Sequence, residues 1–249
     1  MIKPLLLAAS LFAASAQAAA LNDSDPLRAK ARVESYAPQQ MSLVYDLYRN
    51  GHKLGQVTDT FTRSGTRYTL VSETQATGPL KALWPGSIRL ESNGEVTRKG
   101  LRPTRFQHAR SDAPHKLATA RLDWKQGLIA WEYKGEKREQ NGLKAGTQDQ
   151  LSQLYQFMFL PALPKDLSQQ VVSGKKINDY RYSRRDGGTL QVPAGAFATQ
   201  VFERIRGPGD DKDVTVWVAP ARGNLPVQIR VTEDKVTLEQ RLVSYTPKG

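Results

Sequence analysis

The chain has 249 residues, 39% of them hydrophobic, no cysteine, and 36 Lys and Arg against 24 Asp and Glu, for a formal charge of +12. This excludes a disulfide-stapled fold, a thiolate nucleophile and a zinc–thiolate centre, and leaves stability to a core of ordinary size. So basic a chain is drawn to anionic surfaces.

The opening stretch, MIKPLLLAASLFAASAQAAA, sets Lys3 before an apolar run from Leu5 to Ala14 and the small-residue pattern Ala16-Gln17-Ala18. This is the pattern of a secretory signal peptide, residues 1–18, cleaved after about Ala18. The run is shorter than the roughly 20 apolar residues of a membrane-spanning helix, and no later run is long enough to span. Export without cysteine fits a bacterial periplasm. It removes nucleic acid as the partner of the basic surface, leaving lipid headgroups, lipopolysaccharide phosphates and acidic wall polymers.

Residues 19–40 mix Pro, Ser and charge without a period and read as a flexible lead-in. From 41 to 247 the sequence reads as a single β-rich domain. Leu43, Tyr45 and Leu47 alternate, Asn50-Gly51 marks a hairpin, and strands at 56–63 and 66–75 follow. ATGPLKALWPGS (76–87) breaks the alternation as a crossover. Then come a strand at 88–92, a turn at Asn93-Gly94, and strands through EVTRK and TRFQHAR. In the next hairpin Leu122 and Trp124 share one face of the first strand, and Ile129, Trp131 and Tyr133 one face of the second.

A helix is expected over about 147–160. Thr147 and Gln150 form a capping box, Asp149 suits the helix dipole, and Leu151, Leu154, Tyr155, Met158 and Phe159 recur at helical spacing before Pro161 and Pro164. Its polar positions, Gln148, Gln150, Ser152, Gln153 and Gln156, are neutral, unlike the basic polar face of a membrane-surface helix. Beyond it strands recur to the end, with a turn at Asp186-Gly187-Gly188 and a loop at GPGDDKD. About a dozen strands and one helix predict a mainly β fold, a curved antiparallel sheet or partly open β-barrel with one covering helix.

At DQLSQLYQF, QVPAGAF and VWVAPARGNLPVQI, and at YDLYRNGHKLGQ and GLRPTRF, the chain resembles the exported bacterial family called domain of unknown function 3108, over roughly 42–245. That resemblance brings no agreed activity and no catalytic residues. The tail from Val214 to Tyr245 also resembles the ending of periplasmic lipoprotein-carrier half-barrels, which implies helices covering an apolar concave sheet.

Catalysis finds little support in the residues. His52, His108 and His115 fall in turns or at a strand end, and His108, Asp112 and His115 lack metal-ligand spacing. No Gly-x-Ser-x-Gly elbow or Gly-rich phosphate loop occurs, and the Asp residues of GPGDDKD lack calcium-loop spacing. No enzyme activity, catalytic residue, cofactor or metal is therefore expected. The favoured function is noncatalytic: binding or carriage of an apolar or amphipathic envelope molecule, its anionic headgroup drawn by basic residues. The candidate lining is Trp124, Trp131, Leu154, Tyr155, Met158 and Trp217, each of which also suits a filled core. A protein-binding module of an envelope assembly is the alternative, and a hydrolase the third.

Overall fold

The computed structural model describes residues 38–207 and 211–248, so the expected signal peptide and nearly all of the expected lead-in lie outside the described residues. The first eight strands are β1 (Gln40–Arg49), β2 (His52–Ser64), β3 (Arg67–Ala76), β4 (Ser87–Thr97), β5 (Gly100–Arg110), β6 (Ala118–Asp123), β7 (Leu128–Tyr133) and β8 (Glu136–Asn141). A short helix, α1 (Leu80–Leu83), interrupts the connection from β3 to β4. After β9 (Gln148–Asp149) comes the long helix α2 (Ser152–Phe159). The chain then forms β10 (Asp166–Val172), β11 (Ile177–Val192), β12 (Gly195–Ile205), β13 (Asp213–Ala219), β14 (Leu225–Glu233) and β15 (Val236–Lys248).

All fifteen strands join one sheet, mainly β and antiparallel but for the β9–β10 pair. The order is a meander in two runs. From β1 the chain walks out to β8 at one edge, steps to β9 at the other edge, and walks back until β15 pairs with β1. The step takes only the residues between Asn141 and Gln148, so the edges must lie close together and the sheet must roll. Side chains stitch the seam. Trp131 Nε1 donates to the Ser173 carbonyl at 2.9 Å, and Arg138 Nη2 to that of Lys175 at 2.6 Å. The result is a rolled, unclosed sheet.

The roll encloses α2. Leu151 and every α2 residue except the half-buried Leu154 are buried, including Ser152, Gln153 and Gln156. Through Tyr155, Met158 and Phe159 the helix joins one apolar cluster that draws on both runs of the sheet, and through Phe157 a second toward β10–β14. The polar positions do not face solvent as they would on a surface helix. They bolt the helix to both runs of the sheet. Gln156 Oε1 accepts the Leu101 N–H at 2.7 Å, Gln148 Nε2 donates to the Leu101 carbonyl at 2.9 Å, and Gln153 Oε1 accepts the Tyr182 hydroxyl at 3.1 Å.

Several local expectations change. The helix spans 152–159, not 147–160, because Gln148 and Asp149 pair with β10. Thr147 caps nothing in α2: its hydroxyl donates to the Lys144 carbonyl and to Gln170 Oε1. The capping residue is Asp149, whose Oδ1 accepts the N–H groups of Leu151 and Ser152 while Ser152 Oγ accepts the Asp149 N–H. That is the reciprocal logic of a capping box, displaced by two residues.

Asn50-Gly51 is the turn expected of it, with φ of 49° and 84°. Asn93-Gly94 and Asp186-Gly187-Gly188 are not turns. Both lie inside long strands at bulges, and the chain reverses later, after Thr97 and Val192. At Gly94 a Cβ would stand 2.3 Å from the Arg102 carbonyl oxygen, so glycine is required by the close approach of β5. Gly94→Ala is expected to lower stability by about 1–3 kcal/mol by forcing the bulge apart. An unchanged urea midpoint would refute that role.

Candidate binding recess

Two buried carboxyl groups flank α2. On β2, Asp59 shares the inward face with Val57 and Phe61, and its Oδ2 accepts the Tyr155 hydroxyl; all four residues are buried. The Tyr45 hydroxyl lies 3.4 Å from that of Tyr155 and donates to the Pro226 carbonyl at 2.9 Å. At the start of the helix Asp149 Oδ2 accepts the Ser92 hydroxyl, and Ser92 lies 2.9 Å from the Tyr68 phenol oxygen. Burial pushes both carboxyls up from 3.8 to about 6, against the hydrogen bonds that hold them down. Burial also raises the phenols of Tyr45, Tyr68 and Tyr155 well above their ordinary value. These groups are a polar seam between helix and sheet, and alternation placed Asp59 on the Val57 and Phe61 face in the sequence.

The antiparallel order puts the β1–β2, β3–β4, β5–β6, β7–β8, β10–β11, β12–β13 and β14–β15 connections at one end of the roll. At that end the interior is open. A recess of about 810 Å³ enters between the two runs of strands and stops at the N-terminal turn of α2, where Gln150, Gln153 and Leu154 form its floor. Its walls on one side are Leu47, Leu54, Val57, Ile88 and Leu90. On the other they are Val171, Val214, Ile229, Val231 and Leu238. Trp84, just after α1, stands at the rim. Lys176, Arg204 and Lys212 add positive charge, with Asp211 and Glu233 opposed to them. Lys212 pairs with Glu233 at 2.9 Å, and the Arg204 guanidinium lies 4.0 Å from the Tyr180 ring centre. Walls of branched aliphatic residues with a few charged groups at the mouth suit a ligand that is apolar along its length and polar at one end.

Of the six lining candidates, Leu154 reaches this recess. Tyr155 and Met158 pack in the first apolar cluster, with the Tyr155 hydroxyl committed to Asp59. Trp131 closes the seam, with the Arg138 guanidinium 4.5 Å above its ring. Trp124 is half-buried and donates to the Pro103 carbonyl at 2.8 Å. Trp217 lies apart from Val214, Val216 and Val218, which face the second cluster. It packs beside its cross-strand partner Val201, with the Arg230 guanidinium 5.0 Å from the ring. The tip of the β11–β12 hairpin turns back over this region, where the Ala194 N–H donates to the Leu242 carbonyl.

Among the described residues the three histidines do not join other histidines or carboxylates in a group of three or more that could hold a metal ion. His108 is lowered by burial and by the charges of Arg110 and Lys175, and Asp112 is held by Arg110 at 2.7 Å. In the GPGDDKD loop Asp213 pairs with Arg206, while Asp210 lies outside the described residues.

The family described as "Protein of unknown function (DUF3108)" matches residues 44–242. The chain belongs to that family. A comparison with curated proteins finds no match. Among solved structures, a beta-barrel-like protein of domain of unknown function DUF1849 from Brucella abortus is 12% identical at a TM-score of 0.56, covering 85% of this chain and 99% of that one. It shares the fold. A putative outer membrane lipoprotein-sorting protein domain from Vibrio parahaemolyticus is 8% identical at a TM-score of 0.31, each chain covered to 89%. A DUF1329 family protein from Desulfovibrio piger is 10% identical at 0.24, covering 89% of this chain and 91% of that one. Those two likenesses are too loose to carry an argument. Among the described residues no helix is long and apolar enough to cross a membrane.

Proposed function

We propose that this protein is a noncatalytic binder or carrier of an apolar or amphipathic molecule of the bacterial envelope, working in the periplasm after removal of its signal peptide. The observation that carries this reading is the open recess. It is walled by aliphatic side chains from both runs of the sheet, floored by α2, and edged with cations. About 810 Å³ holds a substantial acyl portion, and Lys176 at the edge forms no ion pair with a described residue, leaving its ammonium for an anionic headgroup.

Native mass spectrometry of the protein recovered from the periplasm without detergent, followed by organic extraction, tests the reading. A defined extra mass that extracts as lipid supports it; a bare polypeptide that also fails to take up a fluorescent fatty acid overturns it. Leu154→Asp places a carboxylate on the half-buried floor of the recess and is expected to weaken uptake of that probe by about tenfold or more. Its thermal midpoint should shift less than that of a fully buried substitution.

A further inference from the structure

We propose that the end of the roll carrying the recess is a docking surface for an anionic phospholipid bilayer. Among the described residues four large apolar side chains are exposed: Leu83 at 83%, Ile205 at 44%, Leu117 at 43% and Leu238 at 41%. They come from four separate stretches, yet the strand directions bring all four to the mouth end. Leu83 ends α1 beside Trp84, Leu117 precedes β6, Ile205 ends β12, and Leu238 lies near the start of β15. The opposite end exposes none among the described residues.

Each of these side chains has a basic neighbour in sequence. Lys81 precedes Leu83, Lys116 precedes Leu117, Arg204 and Arg206 flank Ile205, and Lys235 precedes Leu238. Lys81, Lys116 and Lys235 form no ion pair among the described residues. Single apolar tips spread around a rim, with cations nearby in sequence, do not make the contiguous apolar patch of a stable protein dimer. They suit an interface where the tips enter the headgroup layer and Lys81, Lys116 and Lys235 meet phosphates. Charge alone does not choose this end, because Arg98, Lys99, Lys125 and Arg222 make the other end basic too. The apolar tips choose it. A surface so placed presses the open recess against the membrane, so that an amphiphile could pass between them without crossing water.

The test uses the protein recovered after export, sedimented with phosphatidylcholine vesicles that contain or lack phosphatidylglycerol. Binding is expected with phosphatidylglycerol, and the double substitution Leu83→Ser with Ile205→Ser is expected to weaken it by about tenfold while leaving the thermal midpoint unchanged. No binding to the anionic vesicles, or binding that the double substitution leaves intact, overturns the proposal. So does an equal loss from Arg98→Gln with Lys99→Gln, which would trace binding to diffuse charge. Self-association that disappears with the double substitution, in the absence of vesicle binding, would assign the surface to a second copy of the chain. Neither Leu83 nor Ile205 lines the recess, so fatty-acid uptake measured without vesicles is expected to stay at the unsubstituted level. Failure of that uptake in the unsubstituted protein would sink the carrier reading and leave docking standing.

Discussion

Replacing Phe159 by alanine is expected to cost about 3–5 kcal/mol, a large part of the 5–15 kcal/mol that holds a typical domain folded. Phe159 is wholly buried, its ring 5.0 Å from that of Phe61, which in turn stacks on Tyr68 at 5.8 Å. Removing it opens a cavity where the sheet cannot collapse inward, since β1, β2 and β3 are held by their own ladders. Urea denaturation measures the loss as a lower midpoint at unchanged slope. A helix that merely rested over a cavity would lose under about 1 kcal/mol on the same change, so a small effect would contradict the enclosed position of α2. Phe157→Ala probes the other cluster, where that ring meets Phe202 at 4.3 Å.

The second large effect is on pH dependence. Asp59 and Asp149 titrate near 6 when folded, against 3.8 as the ordinary value. Between about pH 4 and pH 6 the folded chain keeps protons that the unfolded chain has released. Each group therefore makes stability fall as pH rises through that window, with no further change above it. The size is on the order of 3 kcal/mol per carboxyl. Carboxylates held down by arginine, such as Glu91 and Glu203, act in the opposite sense at lower pH. A difference measurement isolates the effect. Asp59→Asn keeps an acceptor for the Tyr155 hydroxyl but cannot ionise, so relative to the unsubstituted protein it should gain roughly 3 kcal/mol between pH 4 and pH 7. Parallel stability profiles for the two proteins would refute a buried, titrating Asp59.

The sequence disclosed the fold class because alternation and turn chemistry are local. Leu43, Tyr45 and Leu47 needed no partner to declare a buried face, and Asn50-Gly51 turned where its positive φ predicts. Glycine is ambiguous, however, when the requirement comes from across the sheet. Gly94 and Gly187 fit bulges whose tight contacts, with Arg102 and Thr199, belong to other strands. The strand β8 escaped notice because all six of its residues are exposed and so carry no alternation. The recess was only partly legible. Leu154 could be named from helical spacing, but which of the many inward aliphatic residues stay uncovered depends on where α2 stops. The tryptophans are ambiguous for a related reason. A large ring signals burial without saying whether it faces a cavity, a seam or a filled core, as Trp131 and Trp217 show.

The pairing of β1 with β15 also constrains how this molecule is made. β1 is an interior strand of the finished sheet, yet one of its two neighbours is the last strand to emerge. Until then it is an edge, with a row of unpaired backbone groups along the side that β15 later fills. Such an edge invites pairing with other chains. A contact between the first and last strands of the sheet also slows folding, because the loop it closes holds every other strand. The chain therefore passes through an interval with an incomplete sheet that is competent to aggregate, and its folding yield should depend on how well that first edge is shielded before the final strand arrives.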